Sequence, residues 1–527
     1  MDKARDTIKD IYQKIPFLIK CCMVSGMICG ILTHAYMLTN KLPNWDDINN
    51  IGGYAVGSEF GRWFLKYVNP LDGIWSVPWL SGIFAIVLIS AAACFVVSAL
   101  GLKSVTSAVL IPIMMLSFPS MCSLFTFMFT ADCYAVGILL ACAGAWFIRK
   151  YKYGFLPGSV CLVFCMGIYQ AYLCLALGIL VMGLFLDMLE EESKAGIVFR
   201  KGIKAFVAAC ISVVLYTIIS RMIYPQLDAY NGLENMGKLD LIRLPRLILR
   251  SYRWVAEYFI LKPFSFITGT AWVLNVAVCL LTAGLVIAFF VKKRFYKNVW
   301  TVLLYGFLAM MVPLAMGSII IMAPDASVSM LMLYQYHILY VFLAALLEKS
   351  QDTETGLFLA AGKIKTGRLL ACVITVVILL VGYQNFVVTN QAYFRMGIAY
   401  ERAYAYYNRI MERIEATEGY SPGQPFALIG EYGLSETPDL LGSYSLDGDK
   451  FEDLSGVAKE TGLLTSGVRH NFMKTYIGVE MPDVSEETVN AIKETEAYKN
   501  MPAYPADGCV KQIEGVWVVK TCEETKG

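Results

Sequence analysis

Charged residues are scarce in this chain. Only 16% of its 527 residues are Asp, Glu, Lys or Arg, whereas 57% are hydrophobic. Together with a mean hydropathy of +0.56, this gives more apolar surface than one water-soluble core needs. The composition therefore argues against a soluble enzyme and predicts a membrane protein. The formal net charge of +2 gives no reason to expect a nucleic-acid partner.

Motifs for metal and nucleotide binding are also missing. The 3 histidines, His34, His337 and His470, are far apart and lack the spacing of metal ligands. No C-x-x-C pair and no G-x-x-x-x-G-K-[ST] loop occurs, which argues against a zinc site and an ATP-driven pump. The 15 cysteines lie mostly in apolar runs, where a thiol packs as a small hydrophobic group.

Long apolar runs, by contrast, recur along the first three quarters of the chain. A bilayer core about 30 Å thick requires roughly 20 apolar residues in a helix. The charged N-terminus runs directly into the first apolar run, which is too long for a cleaved signal peptide, so we expect a retained helix. We predict 11 spans, near residues 15–38, 78–101, 104–121, 130–148, 154–169, 171–188, 204–223, 268–291, 298–322, 328–347 and 369–389.

The distribution of lysine and arginine predicts the orientation of these spans. Basic connections such as "RKYKYG" and "VKKRFYKN" alternate with short connections near Ser123, Tyr169 and Pro324 that contain no Lys or Arg. Because basic loops stay in the cytoplasm, we expect a cytoplasmic N-terminus. This orientation puts residues 40–77, residues 224–267 and the region after residue 390 outside the cytoplasm.

The chain changes character after residue 389. Residues 390–527 contain a helical pattern, a strand-like "PFALIGEYG" and the segment "CVKQIEGVWVVKTC", whose Glu-Gly pair separates two β-rich runs as in a hairpin. We therefore predict two domains: a transmembrane domain over 1–389 and a small extracytoplasmic α/β domain over 390–527. Cys509 and Cys522 flank the hairpin. The sequence is compatible with a disulfide between them and equally with two unpaired thiols.

Four charged residues follow the first span, in "NKLPNWDDINNIGGYAVGSEFGRW". The adjacent carboxylates of Asp46 and Asp47 disfavour each other's ionisation, which suits acid–base chemistry. If the loop forms a short helix, Glu59 and Arg62 share a face and the guanidinium can meet a phosphate. The alternative is a loop whose acidic residues are simply solvated.

Further polar residues occur at the predicted outer ends of later spans. These are Asp132 in "FTADCYAV", Tyr169 and Gln170 in "GIYQAY", and Arg221 in "IISRMIYPQ". Ionisable and polar groups at such positions are costly and often functional. For each residue alone, helix capping or an interhelical hydrogen bond is an equally good explanation. Their shared depth favours a common site.

A basic stripe is predicted in the long outer segment after the seventh span. Arg243, Arg246, Arg250 and Arg253 recur every three or four residues beside leucines and isoleucines. This pattern is typical of an amphipathic helix that lies on a lipid surface. The stripe can bind a lipid phosphate or only anchor the chain to membrane lipids.

Several motifs, taken in order, resemble a known family. The first-loop "DD" followed by "GRW", "FTADCYAVGILLA", "GIYQAYLCLALG" and "MPAYPADGCVKQIEGVWVVK" are similar to bacterial serotype-converting glucosyltransferases of the glucosyl transferase II type, and more broadly to GT-C glycosyltransferases. The resemblance implies a multi-pass enzyme of the bacterial plasma (inner) membrane. Such an enzyme transfers a sugar, typically glucose, from a polyprenyl phosphate to a cell-envelope polysaccharide on the outer face.

The resemblance also implies roles for residues. In the GT-C class an acidic residue of the first outer loop is usually the general base or the group that positions the acceptor hydroxyl, and this role maps onto Asp46 or Asp47. The departing phosphate requires cations, and an inverting displacement is expected. Charge and position, not the resemblance, provide the other candidates: Arg62, Arg221 and Arg250 for the donor phosphate, and Glu59, Asp132, Tyr169 and Gln170 for substrate.

We expect no metal cofactor. Paired aspartates are able to hold Mg²⁺ or Mn²⁺, but a lipid-monophosphate donor has only one phosphate to neutralise. Three other classes remain open: a transporter or flippase for a polyprenyl-linked glycan, a scaffold for envelope assembly, and a GT-C enzyme with another donor or acceptor. No inverted repeat or pair of broken helices is evident in the sequence, which argues against the transporter.

Overall fold

The structure is a computed structural model. It describes residues 13–52, 57–73, 75–190, 195–226, 228, 232, 241–261, 264–352, 357, 364–430, 450–482 and 484–522. Within these residues the contacts divide the chain into two units. The membrane unit takes those within Met1–Thr39, Gly52–Gln391 and Asp449–Ser455, and the tail unit takes those within Asn40–Ile51, Ala392–Gly448 and Gly456–Gly527.

The protein is a polytopic helical membrane protein. Apolar runs form helices because a helix satisfies its own backbone hydrogen bonds where lipid offers no partner. Among the described residues, 8 helical segments are long and apolar enough to cross a bilayer. They are Phe17–Thr39, Pro78–Ala99, Met128–Lys150, Ala195–Ile223, Gly269–Lys292, Val299–Met316, Met330–Gln351 and Gly367–Glu415, the last of which lies within the helix Ile364–Glu415.

The structure therefore has fewer full-length spans than the 11 predicted. A ninth arises if Val105–Ser117 and Pro119–Thr126, bent by 48°, count as one span. The bend lies at Phe118, which is extended because the residue before a proline is excluded from the helical region. Phe155–Ile168 and Tyr172–Asp187 fill the two remaining predicted positions. At 1.5 Å per residue these two helices are about 21 and 24 Å long, shorter than a bilayer core.

A second break lies inside the segment Met330–Gln351. It begins as a 3-10 helix, Met330–His337, whose residues are all buried, and continues as the α-helix Ile338–Gln351. Hydroxyl groups connect this break to the bent pair: Ser120 Oγ donates to the Leu331 carbonyl at 3.4 Å, and the Tyr334 hydroxyl donates to the Met115 carbonyl at 3.1 Å. The two interrupted helices therefore pack against each other in the membrane unit.

A short segment that follows the strand Phe426–Ile429 in sequence, residues 450–455, also belongs to the membrane unit. The Leu331 amide donates to Ser455 Oγ at 3.1 Å, and Thr126 Oγ1 donates to the Ser455 carbonyl at 3.4 Å. The Ser265 amide donates to Asp453 Oδ2 at 2.6 Å, and the Asp453 amide donates to Ser265 Oγ at 3.2 Å. Residues 450–455 thus bind the ends of both interrupted helices.

The tail unit contains a small α/β fold. Its strands are Phe426–Ile429 (β1), Val510–Ile513 (β2) and Val516–Lys520 (β3), in the order β1-β3-β2. β1 and β3 pair in parallel, with Phe426 opposite Trp517, and β2 and β3 pair antiparallel. The helices between β1 and β2 are Glu460–Leu463, Ser466–Phe472, Met473–Ile477 in π form, Glu486–Glu494 and Glu496–Lys499.

The predicted hairpin is confirmed. Glu514 and Gly515 have φ values of 51° and 81°, the positive values that a two-residue type I′ turn requires. Cys509 and Cys522, whose pairing the sequence left open, are buried free thiols. The core of this unit combines Tyr407 of the long helix Ile364–Glu415, Phe472 of the helix Ser466–Phe472 and Trp517 of β3.

Ion pairs neutralise buried charge on the side of the membrane unit that the sequence predicts to be cytoplasmic. Arg149, the penultimate residue of Ala131–Lys150, donates from Nη2 to Asp187 Oδ1 at 2.9 Å and from Nε to the Ala99 carbonyl at 2.6 Å. Lys201 Nζ contacts Asp187 Oδ2 at 2.8 Å. The Arg149 and Asp187 side chains are 13% and 9% exposed, so the pair joins three helix ends within the protein.

We predict that Asp187→Ala destabilises the membrane unit by about 3 kcal/mol, because removal of one partner leaves a buried guanidinium uncompensated. Thermal unfolding of the purified protein in detergent measures the change. Glu190→Gln is the matched control, since Glu190 is 56% exposed in its pair with Lys349 and its loss should cost less than about 1 kcal/mol. Equal effects of the two substitutions would contradict this account.

Candidate functional site

Asp46 and Asp47 lie in a short helix of the tail unit. The helix Trp45–Asn49 begins at Asn44, whose side chain accepts a hydrogen bond from the Asp47 amide at 2.8 Å. Both carboxylates fall in the first turn, where the unsatisfied amides of a helix favour negative charge. Ile48 of the same helix is buried in the core of the tail unit. The first loop is therefore divided, since residues 40–51 fold with the tail.

The two aspartates have different surroundings. Asp47 is buried, at 1% exposure, and its Oδ2 lies 2.6 Å from Lys41 Nζ. Burial and, secondly, the negative charge of Asp47 raise the pKa of Tyr476 above its usual range, so the phenol stays protonated at neutral pH. Asp46 is half-buried, and its backbone carbonyl accepts a hydrogen bond from Asn50 Nδ2 at 2.8 Å. Asp46 therefore presents more of its side chain to an incoming group than Asp47 does.

Glu59 and Arg62 do not share a helix, so that expectation was wrong. The 3-10 turn Ser58–Phe60 ends at Gly61, whose φ of 77° is left-handed and stops the helix before Arg62. The Glu59 carbonyl accepts a hydrogen bond from the Asp228 amide at 3.0 Å. Glu59 is thus connected to a residue that follows the helix Ala195–Ile223 in sequence, whereas Arg62 contacts other helices.

Arg62 lies among tyrosines of the membrane unit. Its Nη1 donates to the Tyr134 hydroxyl at 3.4 Å, and its Cζ lies 5.1 Å from the centre of the Tyr169 ring, a cation–π contact. The rings of Tyr134 and Tyr169 are 4.9 Å apart, and Tyr172 lies 5.1 Å from Tyr169. We call Arg62 and these three tyrosines the Arg62 cluster.

Gln170 lies next to the cluster and contacts the backbone that precedes Arg62. Its Nε2 donates to the Phe60 carbonyl at 2.8 Å and to the Tyr216 hydroxyl at 2.9 Å. The Tyr216 hydroxyl in turn donates to the Gly61 carbonyl at 3.1 Å. The structure therefore brings together Arg62, Tyr169 and Gln170, three residues selected from the sequence.

Asp132 lies in the first turn of Ala131–Lys150, two residues before Tyr134 of the cluster. It is only 2% exposed, and the Cys133 thiol lies 3.4 Å from its Oδ1 and 3.4 Å from Asn69 Oδ1. Because an acidic side chain at a helix N-terminus is stabilised by the helix dipole, a structural role explains its burial.

Arg221 and Arg250, the other two candidate phosphate ligands, have separate surroundings. Arg221 is exposed near the end of Ala195–Ile223. Arg250 lies on the predicted amphipathic helix, observed as Leu244–Ala256, and donates from Nη1 to the Pro324 carbonyl at 3.0 Å. Arg243, the N-cap residue of the same helix, has its Nη1 3.6 Å from Asp325 Oδ1. The turn at Pro324, which has no arginine of its own, is thus contacted by Arg250 on this helix and by Arg243 at its start.

Sequence reasoning did not select Tyr134, Tyr216 or Lys41. Tyr134 stands two residues after Asp132 in a motif that was noted, so its proximity was a usable signal. Tyr216 lies in the apolar run "VVLYTIIS", which carries no sign of its role. Among the residues that the structure describes, no three His, Cys, Asp or Glu side chains are placed to hold a metal ion.

Comparison with known proteins identifies a family. The family model described as Glucosyl transferase GtrII matches residues 35–347, more than half of the chain. The matched range includes the acidic helix, the Arg62 cluster, Gln170, Tyr216 and the basic helix Leu244–Ala256. No curated protein and no solved structure matches the chain.

We predict that Gly167→Ala displaces the backbone on the C-terminal side of Arg62. The Gly167 carbonyl accepts a hydrogen bond from the Phe64 amide at 2.8 Å, and a Cβ at Gly167 would lie 2.9 Å from the Trp63 ring. Overpacking of this kind costs about 1–3 kcal/mol, which thermal unfolding in detergent measures. Gly306→Ala is the control, since a Cβ there meets nothing within 4 Å. If Gly167→Ala is as stable as Gly306→Ala, the contact does not restrain the loop.

Proposed function

We propose that this chain, which belongs to the GtrII glucosyl transferase family, transfers a hexose, glucose first, from a polyprenyl-phosphate donor to a cell-envelope polysaccharide. The observation that carries the proposal is the family match over residues 35–347, which coincides with most of the membrane unit. The chain is a membrane glycosyltransferase by family and fold. The donor, the acceptor and the bacterial plasma membrane as its location are our proposal.

A lipid-linked donor agrees with the architecture. A polyprenyl chain is confined to the bilayer, so its sugar phosphate lies at the membrane surface. The positive-inside distribution of Lys and Arg predicts that residues 40–77 and the tail lie outside the cytoplasm. On that orientation the acidic helix and Arg62 lie on the outer side, where a surface polysaccharide is available as acceptor.

We propose Asp46 as the general base. A base must reach the proton that it removes, and Asp46 is half-buried, whereas Asp47 is buried in its ion pair with Lys41. Asp47 then serves to hold the helix Trp45–Asn49.

The reaction is a single displacement at the anomeric carbon. The acceptor oxygen forms a bond to that carbon and loses its proton to the Asp46 carboxylate. The bond between the anomeric carbon and the phosphate oxygen breaks, and its electron pair leaves with the phosphate. A cation stabilises the phosphate charge, and the configuration is inverted. This step requires no metal ion.

A second candidate function is transport of a polyprenyl-linked glycan. The observation that favours it is the pair of interrupted helices, since transporters bind their substrates at broken helices. Covalent transfer of the sugar by purified protein separates the two functions.

We predict that Asp46→Asn lowers glucose transfer by about 10²- to 10⁴-fold, and that Asp47→Asn has a smaller effect through loss of its pair with Lys41. The measurement is transfer of labelled glucose from undecaprenyl-phosphate glucose to envelope polysaccharide in membranes, at equal protein levels. Asp507→Asn is the control, because the Asp507 side chain is 96% exposed and should not affect transfer.

Other outcomes each have a clear meaning. A larger loss in Asp47→Asn would make Asp47 the base. Full transfer in both variants would remove these aspartates from the mechanism. If the native protein transfers no glucose, other sugar donors are tested next, and transport is tested after them.

A further inference from the structure

The backbone immediately before Arg62 is held by two side chains from different helices. Gln170 Nε2 donates to the Phe60 carbonyl, and the Tyr216 hydroxyl donates to the Gly61 carbonyl. A third hydrogen bond, from Gln170 Nε2 to the Tyr216 hydroxyl at 2.9 Å, links the two side chains. We call Gln170 and Tyr216 the loop clamp.

The same region also holds the side chain of Arg62. Tyr169, the neighbour of Gln170 in sequence, places its ring 5.1 Å from the guanidinium carbon, and the Tyr134 hydroxyl lies 3.4 Å from Nη1. Tyr169 and Gln170 lie in the break between Phe155–Ile168 and Tyr172–Asp187. Two residues of this three-residue break thus contact both the backbone and the side chain of this part of the first loop.

Gly61 permits this close approach. A Cβ at Gly61 would lie 2.4 Å from the Tyr216 hydroxyl and 2.9 Å from Gln170 Nε2. Its φ of 77° is also a conformation that side chains disfavour. The glycine that precedes Arg62 therefore lets the clamp reach the backbone directly.

The hydrogen-bond inventory argues against direct substrate binding through the donors of the clamp. A glutamine amide has two N–H donors, and those of Gln170 are used by the Phe60 carbonyl and the Tyr216 hydroxyl. The single O–H of Tyr216 is used by the Gly61 carbonyl. A sugar hydroxyl or phosphate would have to break a bond that now positions the loop.

We propose that Gln170 and Tyr216 are positioning residues that fix Arg62 for the phosphate of the sugar donor, an inference that rests on the function proposed above. A cation held in place before the donor arrives stabilises phosphate charge without reorganisation. Gln170, selected from the sequence as a substrate ligand, acts through Arg62 instead. A substrate ligand would act whether or not Arg62 is present, whereas a positioning residue acts only through Arg62.

The test uses Tyr216→Phe, which removes the hydroxyl and keeps the ring, and Gln170→Leu. We expect the KM for undecaprenyl-phosphate glucose to rise about tenfold in either variant, with melting temperatures near that of the native protein. Tyr305→Phe is the matched control, because its hydroxyl also donates to a carbonyl, that of Val286 at 2.8 Å, in another part of the membrane unit. That variant should keep the native KM. If Gln170→Leu does not fold, the KM of Tyr216→Phe alone tests the inference.

A double-mutant cycle distinguishes positioning from a general structural role. In an Arg62→Gln background, Tyr216→Phe should change KM and kcat less than about twofold, since the residue that the clamp positions is already absent. If the effects of the two substitutions multiply, Tyr216 acts independently of Arg62 and the inference is overturned. An unchanged KM in both single variants overturns it as well.

The outcome for the native protein separates this inference from the proposed function. Native transfer combined with independent effects in the cycle rejects the clamp alone. No transfer by the native protein, from undecaprenyl-phosphate glucose or any other polyprenyl-phosphate sugar, rejects the proposed function and the role of the clamp with it.

Discussion

Lipid offers no hydrogen bonds to a peptide backbone, and this constraint shapes the whole membrane unit. Most apolar runs respond by forming uninterrupted helices. At the two places where the helices are interrupted, at Phe118 and over Met330–His337, hydroxyl groups of Ser120, Tyr334 and Ser455 bind the backbone of the broken segments. The sequence pattern that argued against broken helices was therefore misleading, because a proline bend and a 3-10 turn both stay apolar.

Arg149 and Arg62, both in the membrane unit, have different kinds of contact. Arg149 is bound by the carboxylate of Asp187, which neutralises its charge and ties helix ends together. Arg62 contacts the hydroxyl of Tyr134 and the ring of Tyr169. A hydrogen bond to a hydroxyl and a cation–π contact both orient the planar guanidinium.

The first loop is divided between the two units, and this division changes how its acidic and basic residues are understood. Asp46 and Asp47 lie on a helix whose Ile48 is part of the tail core, so the tail supports the proposed base. Arg62 is supported by helices of the membrane unit through Tyr134, Tyr169 and the loop clamp. The tail is thus a structural partner of the acidic residues, a role for which its own sequence gave no indication.

The sequence by itself determined the membrane class, the approximate positions of the helices, the α/β tail and the hairpin at Glu514 and Gly515. Hydropathy, proline and turn chemistry act over a few residues, so a local pattern is sufficient for them. Only the tertiary structure decided which helices are too short to span a bilayer, that Glu59 and Arg62 do not share a helix, and what surrounds each candidate residue. Gln170 and Phe60 are 110 residues apart, and Tyr216 and Gly61 are 155 apart. Contacts at such separations depend on how helices pack, which no local pattern encodes.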